Sequence, residues 1–489
     1  MGSLIVLIGA LSVAACGDDL PRCSQVSTVI PPAPPCARAP CSDLFIAAHP
    51  DDDLLFMGSD IAGALAAGHR ITVLYVTAGE LSGDGDDYWI DRERGVLNAY
   101  SALVDHRAGT HTALASNRPG VLPGDWSAAQ PTVLGTITAA EYDLRTYPIT
   151  AVFLRLGDYQ EQCLWEQTNG CSARNPNPPA PPYVAVTIAC PADAASAKVA
   201  CATPAPSQQV DDSALAGALE AAIVKFHPTT IGILDASGVF FDELGRAGDS
   251  AGYTEYPDHF YSALYALSAT LRAAAATGEL PAIASYRGYT IAREAANLTD
   301  SVSCTKDIAF DAYAPFDSDV TAEHGAYALD DATSYLRRSY ALRTVVPHSG
   351  FLRNQGKCLG IVDSVPTMVD CATAPEWSFD AAGQLTTSGM CLRVVDNGGH
   401  VMRPVPQCSG VPCTPIPAEF PAEVVMTTDC GTTSEATTYA VFDNGQIRTA
   451  YARCLAVASD HPFSADCKSV VVDGHVTGGV PDDQAWTLR

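Results

Sequence analysis

The stretch from Leu44 to Asp53 reads LFIAAHPDDD, an apolar run that ends in a histidine, a proline and three aspartates. Four ionisable groups on one tight corner can do metal chemistry. His49 and Asp52 stand three residues apart and can share one Zn²⁺, because imidazole nitrogen and carboxylate oxygen both suit that ion. Pro50 stiffens the turn between them, and a second carboxylate beside the pair can accept a proton from water as a general base. The same residues would also serve as an acidic turn capping the next helix, since aspartate suits a first helical turn. Residue types alone leave both readings open.

A catalytic zinc needs a third protein ligand and an open position. His259, in YTEYPDHFYSAL, is the best placed, at the start of a long helix after a strand and loop. His69, His106, His111, His227 and His324 lack such company and read as surface or structural histidines. Asp84, Asp86 and Asp87 lack the later glycine and glutamate of a calcium loop and read as a solvated acidic loop.

The elements that must position these groups alternate. Leu44 to Ala48 reads as a strand, Leu54 to Gly68 as a helix and Ile71 to Ala78 as the next strand, which makes a β-α-β unit. Further strands are expected at Ala151–Leu156, Thr230–Leu234 and Ala282–Tyr289, and helices at Asp212–Phe226, His259–Ala276 and Leu329–Leu342. The pattern indicates an α/β domain with a mostly parallel, Rossmann-like sheet over 42–345. In such sheets ligands sit outside the carboxyl ends of the strands, where the His49–Asp53 corner falls. Residues 160–210 interrupt the rhythm with NPNPPAPP and Cys163, Cys171, Cys190 and Cys201, a disulfide-stapled insertion.

From 346 to 489 the texture changes to short strands and turns. KCLGIV at 357–362, MCLRVV at 390–395 and RCLAVA at 453–458 are internal repeats, each followed 13 to 17 residues on by a second cysteine, Cys371, Cys408 and Cys467. WSFDAAGQL at 377–385 and AVFDNGQI at 440–447 form a companion pattern, and Gln484-Ala485-Trp486 closes the chain. Three such units imply a closed threefold β architecture.

At this point LFIAAHPDDD, LYVTAGELSG and YPDH together resemble the zinc-dependent PIG-L/LmbE de-N-acetylases, over roughly 42–345. The resemblance implies that His49, Asp52 and His259 are zinc ligands and Asp51 is the base. Tyr256 stands where many members carry a histidine that helps stabilise the tetrahedral intermediate; a phenol donates a hydrogen bond but brings no positive charge. Asp53 stands where glutamate is commoner. Arg92, in DRERGVLNAY, matches a family arginine that contacts substrate, although Gly95 replaces the usual glutamate. Residues 346–489 resemble the ricin-type β-trefoil lectins. Gly360, Arg393 and Ala456 occupy the places of the aspartate that grips sugar hydroxyls, and only the last repeat keeps the full QxW.

Bulk properties fit this division. A chain of 489 residues is too long for one ordinary core and implies two or three domains. Its mean hydropathy of +0.08 is that of a folded soluble protein. The net charge of −27 repels phosphate backbones and argues against nucleic acid as a partner. The 12-residue apolar run Leu4–Ala15 is too short to span a bilayer and suits a signal-peptide core, residues 1–15. Val13-Ala14-Ala15-Cys16 resembles a bacterial lipobox, in which the cysteine receives a lipid. Setting Cys16 aside leaves 16 of the 17 cysteines, eight in each half of the chain. Residues 16–41 are polar and proline-rich and read as a tether.

The expectation is therefore an exported zinc hydrolase, anchored to a membrane through lipid alone in the periplasm or at the cell surface. It would remove acetyl from N-acetylglucosamine-type sugars or glycans. The alternatives are a non-catalytic carbohydrate-binding surface lipoprotein and a metal hydrolase acting on another bond.

Overall fold

The computed structural model describes residues 39–80, 88–108, 125–166, 184–188, 207–236, 255–322, 326–395, 422–430, 435–451, 453–465, 471–472, 475–476 and 480–489, with residues 23, 33, 36 and 467 besides. The expected signal peptide, Cys16, most of the tether and Asp84, Asp86 and Asp87 lie outside these residues. Among the described residues no helix is long and apolar enough to cross a membrane.

The first element, β1 (Ser42–Ala47), is buried at every position, as a strand covered on both faces must be. It leads through α1 (Gly58–Ala67) to β2 (Arg70–Thr77) and α2 (Tyr88–Ala108). There follow β3 (Gln130–Leu134), β4 (Ile137–Leu144), β5 (Ile149–Leu156) and α3 (Gln160–Glu166). The short pair β6 (Ala185–Val186) and β7 (Gln209–Val210) precedes α4 (Asp212–Phe226), β8 (Thr230–Leu234), α5 (Pro257–Thr277) and β9 (Ala282–Tyr286). Next come α6 (Asp300–Tyr313) and β10 (Ala341–Arg343). The eight-stranded sheet runs β10-β9-β8-β1-β2-β5-β4-β3. Its five central strands are parallel, and β10, β4 and β3 are antiparallel additions at the edges. The chain leaves β1 toward β2 and returns on its other side as β8, so the carboxyl end of β1 is a switch point and opens a crevice.

Two long helices and one absence of helix differ from the sequence reading, and the short α3 forms at the start of the expected insertion. The apolar periodicity gives no warning of α2 and α6, because their inward faces carry polar groups. Arg92, Glu93, Arg94 and Asn98 are buried on α2, and Ser303, Thr305 and Lys306 on α6. The expected helix Leu329–Leu342 is not formed; the segment holds turns, a short 3₁₀ turn at Tyr335–Arg337 and β10. Side chains take the carbonyls that a helix would need. Lys306 Nζ donates to the Tyr335 and Arg338 carbonyls at 2.9 and 2.7 Å, and the Arg338 guanidinium donates to those of Ser334, Ala332 and Glu294.

The residues after 345 form antiparallel sheets of nine and four strands around a second apolar core. The leucine of each CL repeat, Leu359, Leu392 and Leu455, is fully buried there. Trp377 Nε1 donates to the Leu359 carbonyl at 2.8 Å, and Trp486 Nε1 donates to that of Leu455 at 2.9 Å, the same contact in two repeats. Disulfides Cys358–Cys371 and Cys454–Cys467 share a 13-residue separation. In the middle repeat Cys391 bridges to Cys430; Cys408 lies outside the described residues. Cys23–Cys304 and Cys36–Cys41 close within the first half.

The two halves are not beads on a string. Ala440, Phe442 and Ala450 pack into the core of the first. Arg448 is fully buried, with Nη2 2.8 Å from Asp235 Oδ1 just past the end of β8 and its guanidinium over the Phe442 ring at 4.6 Å.

Lys306 carries the clearest pH consequence. It is 1% exposed and gives its ammonium to three carbonyls, the third being Leu55 at 2.7 Å. Burial, with a smaller contribution from Arg338, pushes its pKa down to about 7 from 10.5. Below pH 7 the folded and unfolded chains both hold this proton. Between pH 7 and 10.5 the unfolded chain keeps a proton that the folded one has released, so this group makes stability rise with pH by on the order of 1 kcal/mol per unit. Denaturation of the wild type and Lys306→Met at pH 7 and pH 9.5 is expected to show the wild type gaining on the variant at the higher pH. A constant difference would sink this account.

Candidate active site

The corner after β1 is held by its own backbone. Asp52 Oδ2 accepts the His49 N–H at 2.7 Å, and the Asp51 N–H donates to the His49 carbonyl at 2.9 Å. A buried π-helical turn, Asp53–Met57, follows and leads into α1. Such widened turns recur beside functional sites. From the other side of the crevice comes α5, with Tyr256 at its N-cap and Pro257 pre-set for its first turn. That turn carries His259, which is fully buried.

The structure brings His49, Asp52 and His259 together, with one ligand atom of each within 4.8 Å of the others. His259 Nε2 lies 2.8 Å from Asp52 Oδ1, yet it makes no hydrogen bond of proper geometry. An orphaned, buried ring nitrogen facing a carboxylate oxygen is what a metal ligand looks like without its ion. The second nitrogen of each imidazole meets a carboxylate: His259 Nδ1 is 2.7 Å from Glu255 Oε1, and His49 Nε2 is 3.3 Å from Asp258 Oδ2. Those carboxylates are themselves anchored by backbone. Glu255 accepts the N–H groups of Tyr256, Gly288 and Tyr289, and Asp258 accepts that of Tyr159 with both oxygens. Outer carboxylates of this kind orient histidine ligands and raise their basicity. The residues present therefore fit a zinc ion held by His49, Asp52 and His259. His49, Asp158 and Asp258 also converge, but Asp258 already serves His49 and Asp158 accepts the Gly79 N–H.

Asp51 points to a different partner. Its Oδ1 is 2.7 Å from Arg92 Nη2. Arg92 is 5% exposed, and it also reaches the Tyr313 phenol at 2.8 Å, Asp317 at 3.2 Å and the Gly79 carbonyl at 3.2 Å. Arg92, the expected substrate contact, holds Asp51 in this geometry. Two glycines make the hold possible. Gly79 has φ of +67°, and a Cβ there would lie 2.2 Å from Arg92 Nη1. A Cβ at Gly95 would lie 2.7 Å from the Tyr313 ring, so the glycine that departs from the family pattern makes room for the tyrosine that positions Arg92.

Electrostatics separates the neighbouring aspartates. Burial pushes the Asp51 carboxyl up to about 6, against the pull of Arg92. Asp52 is equally buried, but His259 and His49 outweigh that and hold it well below the usual carboxylate range. Burial works against a charged His259, yet Asp52 and Glu255 together lift it to about 9. Asp53 faces away from this group: its Oδ2 accepts the Tyr100 phenol at 2.5 Å, and burial raises it to about 7. Tyr256 is half-buried, edge-on to the His49 ring at a centroid distance of 5.2 Å. His69 is structural, bonded to Asp43 at 2.7 Å, and His227 caps α4.

Sequence reasoning did not single out Glu255, Asp258, Asp158 or Tyr159. The first two had a signal, since they lie four and one residues before His259 on the same helical start. Asp158 and Tyr159 had a weaker one, a polar pair just beyond the carboxyl end of a parallel strand, β5. Glu80, of the TAGE segment, joins them: its carboxylate accepts the Asp158 N–H, and burial followed by Asp158 raises it to about 9.

One family model and several solved structures resemble this chain, among them the two that follow. The chain is 15% identical to the conserved protein TT1542 from Thermus thermophilus, covering 56% of this chain and 78% of that one with a TM-score of 0.27. It is 13% identical to the zinc inhibited form of teicoplanin deacetylase Orf2, covering 56% and 83% with a TM-score of 0.28. No curated protein matches. Residues 44–108, which carry His49 to Asp53 and Arg92, match the family described as PIG-L: GlcNAc-PI de-N-acetylase.

Proposed function

We propose that this protein is a zinc-dependent de-N-acetylase acting on N-acetylglucosamine-type sugars or glycans. One observation carries the reading: three metal-competent side chains converge, both imidazoles are backed by anchored carboxylates, and a separately held Asp51 stands beside them. The match of residues 44–108 supports the same class of chemistry. When bound by His49, Asp52 and His259, zinc supplies Lewis-acid polarisation of an amide carbonyl and a more acidic water. Asp51 takes the proton of the attacking water and passes it to the departing amine. Arg92 keeps that carboxylate aimed and favours its ionised form. Tyr256 donates to the carbonyl oxygen as that oxygen gains charge.

The repeated leucine and tryptophan contacts after residue 345 support reading 346–489 as a β-trefoil. The N-terminal apolar run and Cys16 support export and a lipid anchor, in the periplasm or at the cell surface.

Elemental analysis is expected to find about one zinc per chain. Asp258→Asn and Glu255→Gln are each expected to weaken zinc binding by about 10- to 100-fold, the usual cost of losing an outer partner. Full zinc affinity in both variants would remove the basis for the site.

Asp51 and Asp52 are expected to fail differently. Asp52→Asn lowers zinc occupancy together with turnover. Asp51→Asn keeps zinc and lowers turnover of acetate release from N-acetylglucosamine oligomers by about 10²- to 10⁴-fold, with KM little changed. If both residues only cap a helix, each change costs about 0.5 to 2 kcal/mol of stability and spares activity. Zinc content, melting temperature and acetate release measured on both variants decide between these, and an active Asp51→Asn refutes the mechanism.

A further inference from the structure

Asp317 lies just before the short helix Ser318–Ala322, beyond α6, and it is buried although it belongs to neither cluster of metal-competent groups. Both of its oxygens are engaged. Oδ1 accepts the Tyr88 phenol at 2.6 Å and the N–H groups of Asp319 and Val320 at 3.0 and 3.3 Å. Oδ2 accepts the Tyr313 phenol at 2.6 Å and faces Arg92 Nε at 3.2 Å. Burial works against a charge there, but Arg92 and the two phenols outweigh it and hold the carboxyl below the usual carboxylate range. Arg92 is in turn gripped along its fork. Nε donates to the Tyr313 phenol at 2.8 Å, Nη1 donates to the Gly79 carbonyl at 3.2 Å, and the Tyr88 ring centroid lies 5.6 Å from the guanidinium carbon. Nη2 meets Asp51 Oδ1 at 2.7 Å. A guanidinium is planar and rigid, so fixing Nε and Nη1 also fixes where Nη2 points.

We propose that Asp317 is a positioning residue for the reaction, an anchored carboxylate that holds Arg92 in the orientation from which it fixes the base Asp51. The inference rests on the de-N-acetylase reading above. Arg92 spans two carboxylates from distant parts of the chain, Asp51 from the corner after β1 and Asp317 from beyond α6. The Tyr313 phenol suits the junction, because one hydroxyl accepts from Arg92 Nε and donates to Asp317 Oδ2. A plainer role for Asp317 is to cap the short helix, since aspartate before a helix accepts N–H groups of its first turn. Capping accounts for the bonds from Asp319 and Val320 to Oδ1, but not for Tyr313 and Arg92 at Oδ2. Asparagine caps about as well as aspartate yet brings no charge to hold a guanidinium, and that difference separates the two roles.

The test is a double-mutant cycle with Asp317→Asn, Asp51→Asn and the double variant, in the full-length protein. Neither change touches His49, Asp52 or His259, so zinc content should match the wild type in all three. For acetate release, Asp317→Asn is expected to lower kcat by about 10- to 100-fold with KM little changed, the order of loss that a small misplacement of a reacting group brings. Because Asp317 acts through Asp51, the double variant should be no slower than Asp51→Asn alone. A second readout needs neither metal nor activity. In metal-free protein the melting-temperature loss of Asp317→Asn combined with Arg92→Met should be smaller than the sum of the two single losses, since removing either partner alone leaves a buried charge without its mate. Tyr313→Phe, which loses the hydroxyl shared by both groups, takes the place of Arg92→Met in that cycle if the latter does not fold. Wild-type kcat in Asp317→Asn beside an impaired Asp51→Asn overturns the inference. So does an equal loss from Asp317→Asn with and without Asp51, a loss of zinc from Asp317→Asn, or melting losses that simply add. A wild type that binds zinc but releases no acetate overturns the functional reading instead, and the metal-free cycle still judges whether Asp317 holds Arg92.

Discussion

The Asp52 carboxylate is the contact on which the site depends. One oxygen closes the turn onto the His49 N–H, and the other faces His259 Nε2 from α5. A single side chain therefore ties the carboxyl end of β1 to a helix that begins about two hundred residues later. The tie uses full burial: at low dielectric a carboxylate between two imidazoles interacts strongly, and the same burial would be prohibitive if those partners were absent. The outer carboxylates Glu255 and Asp258, pinned by backbone N–H groups, keep the imidazoles from turning toward other partners.

Around this contact the crevice carries more acid than base. Asp51, Asp52, Asp158, Glu161, Asp258 and Glu255 face His49, His259 and Arg92, and all of them are buried. Arg92 is committed to Asp51 and Asp317, which leaves the imidazole side with an excess of negative charge. The protein reduces that excess by raising the pKa of Glu161 and Asp258 through burial. A divalent cation at the orphaned His259 nitrogen would relieve it directly, which is why the donor set and the electrostatics point to the same occupant.

The second half of the chain is built into this arrangement rather than appended. The segment that leaves the sheet as β10 continues through backbone bonds between Val345 and Val441 and between Arg343 and Asp443. Arg448 then reaches Asp235, at the start of the segment that connects β8 to α5.

Local chemistry made part of this legible without coordinates. The central strands read as unbroken apolar runs, α4 and β8 fall on their expected residues, and His49 to Asp53 stands out because a buried strand ending in ionisable groups needs an explanation. The CL repeats and their spacing likewise reflect a core that each unit must help to close. Tertiary structure decided the rest. Whether Leu329–Leu342 becomes a helix depends on Lys306 and Arg338, whose side chains compete for its carbonyls. That Arg92 meets Asp51 depends on two glycines and on Tyr313 of another helix. Glu255, Asp258 and Tyr159 acquire their roles only from partners brought beside them by the fold. Periodicity and motif spacing report short-range constraints, whereas the state and aim of a buried charge are set by whatever the fold brings within a few ångströms of it.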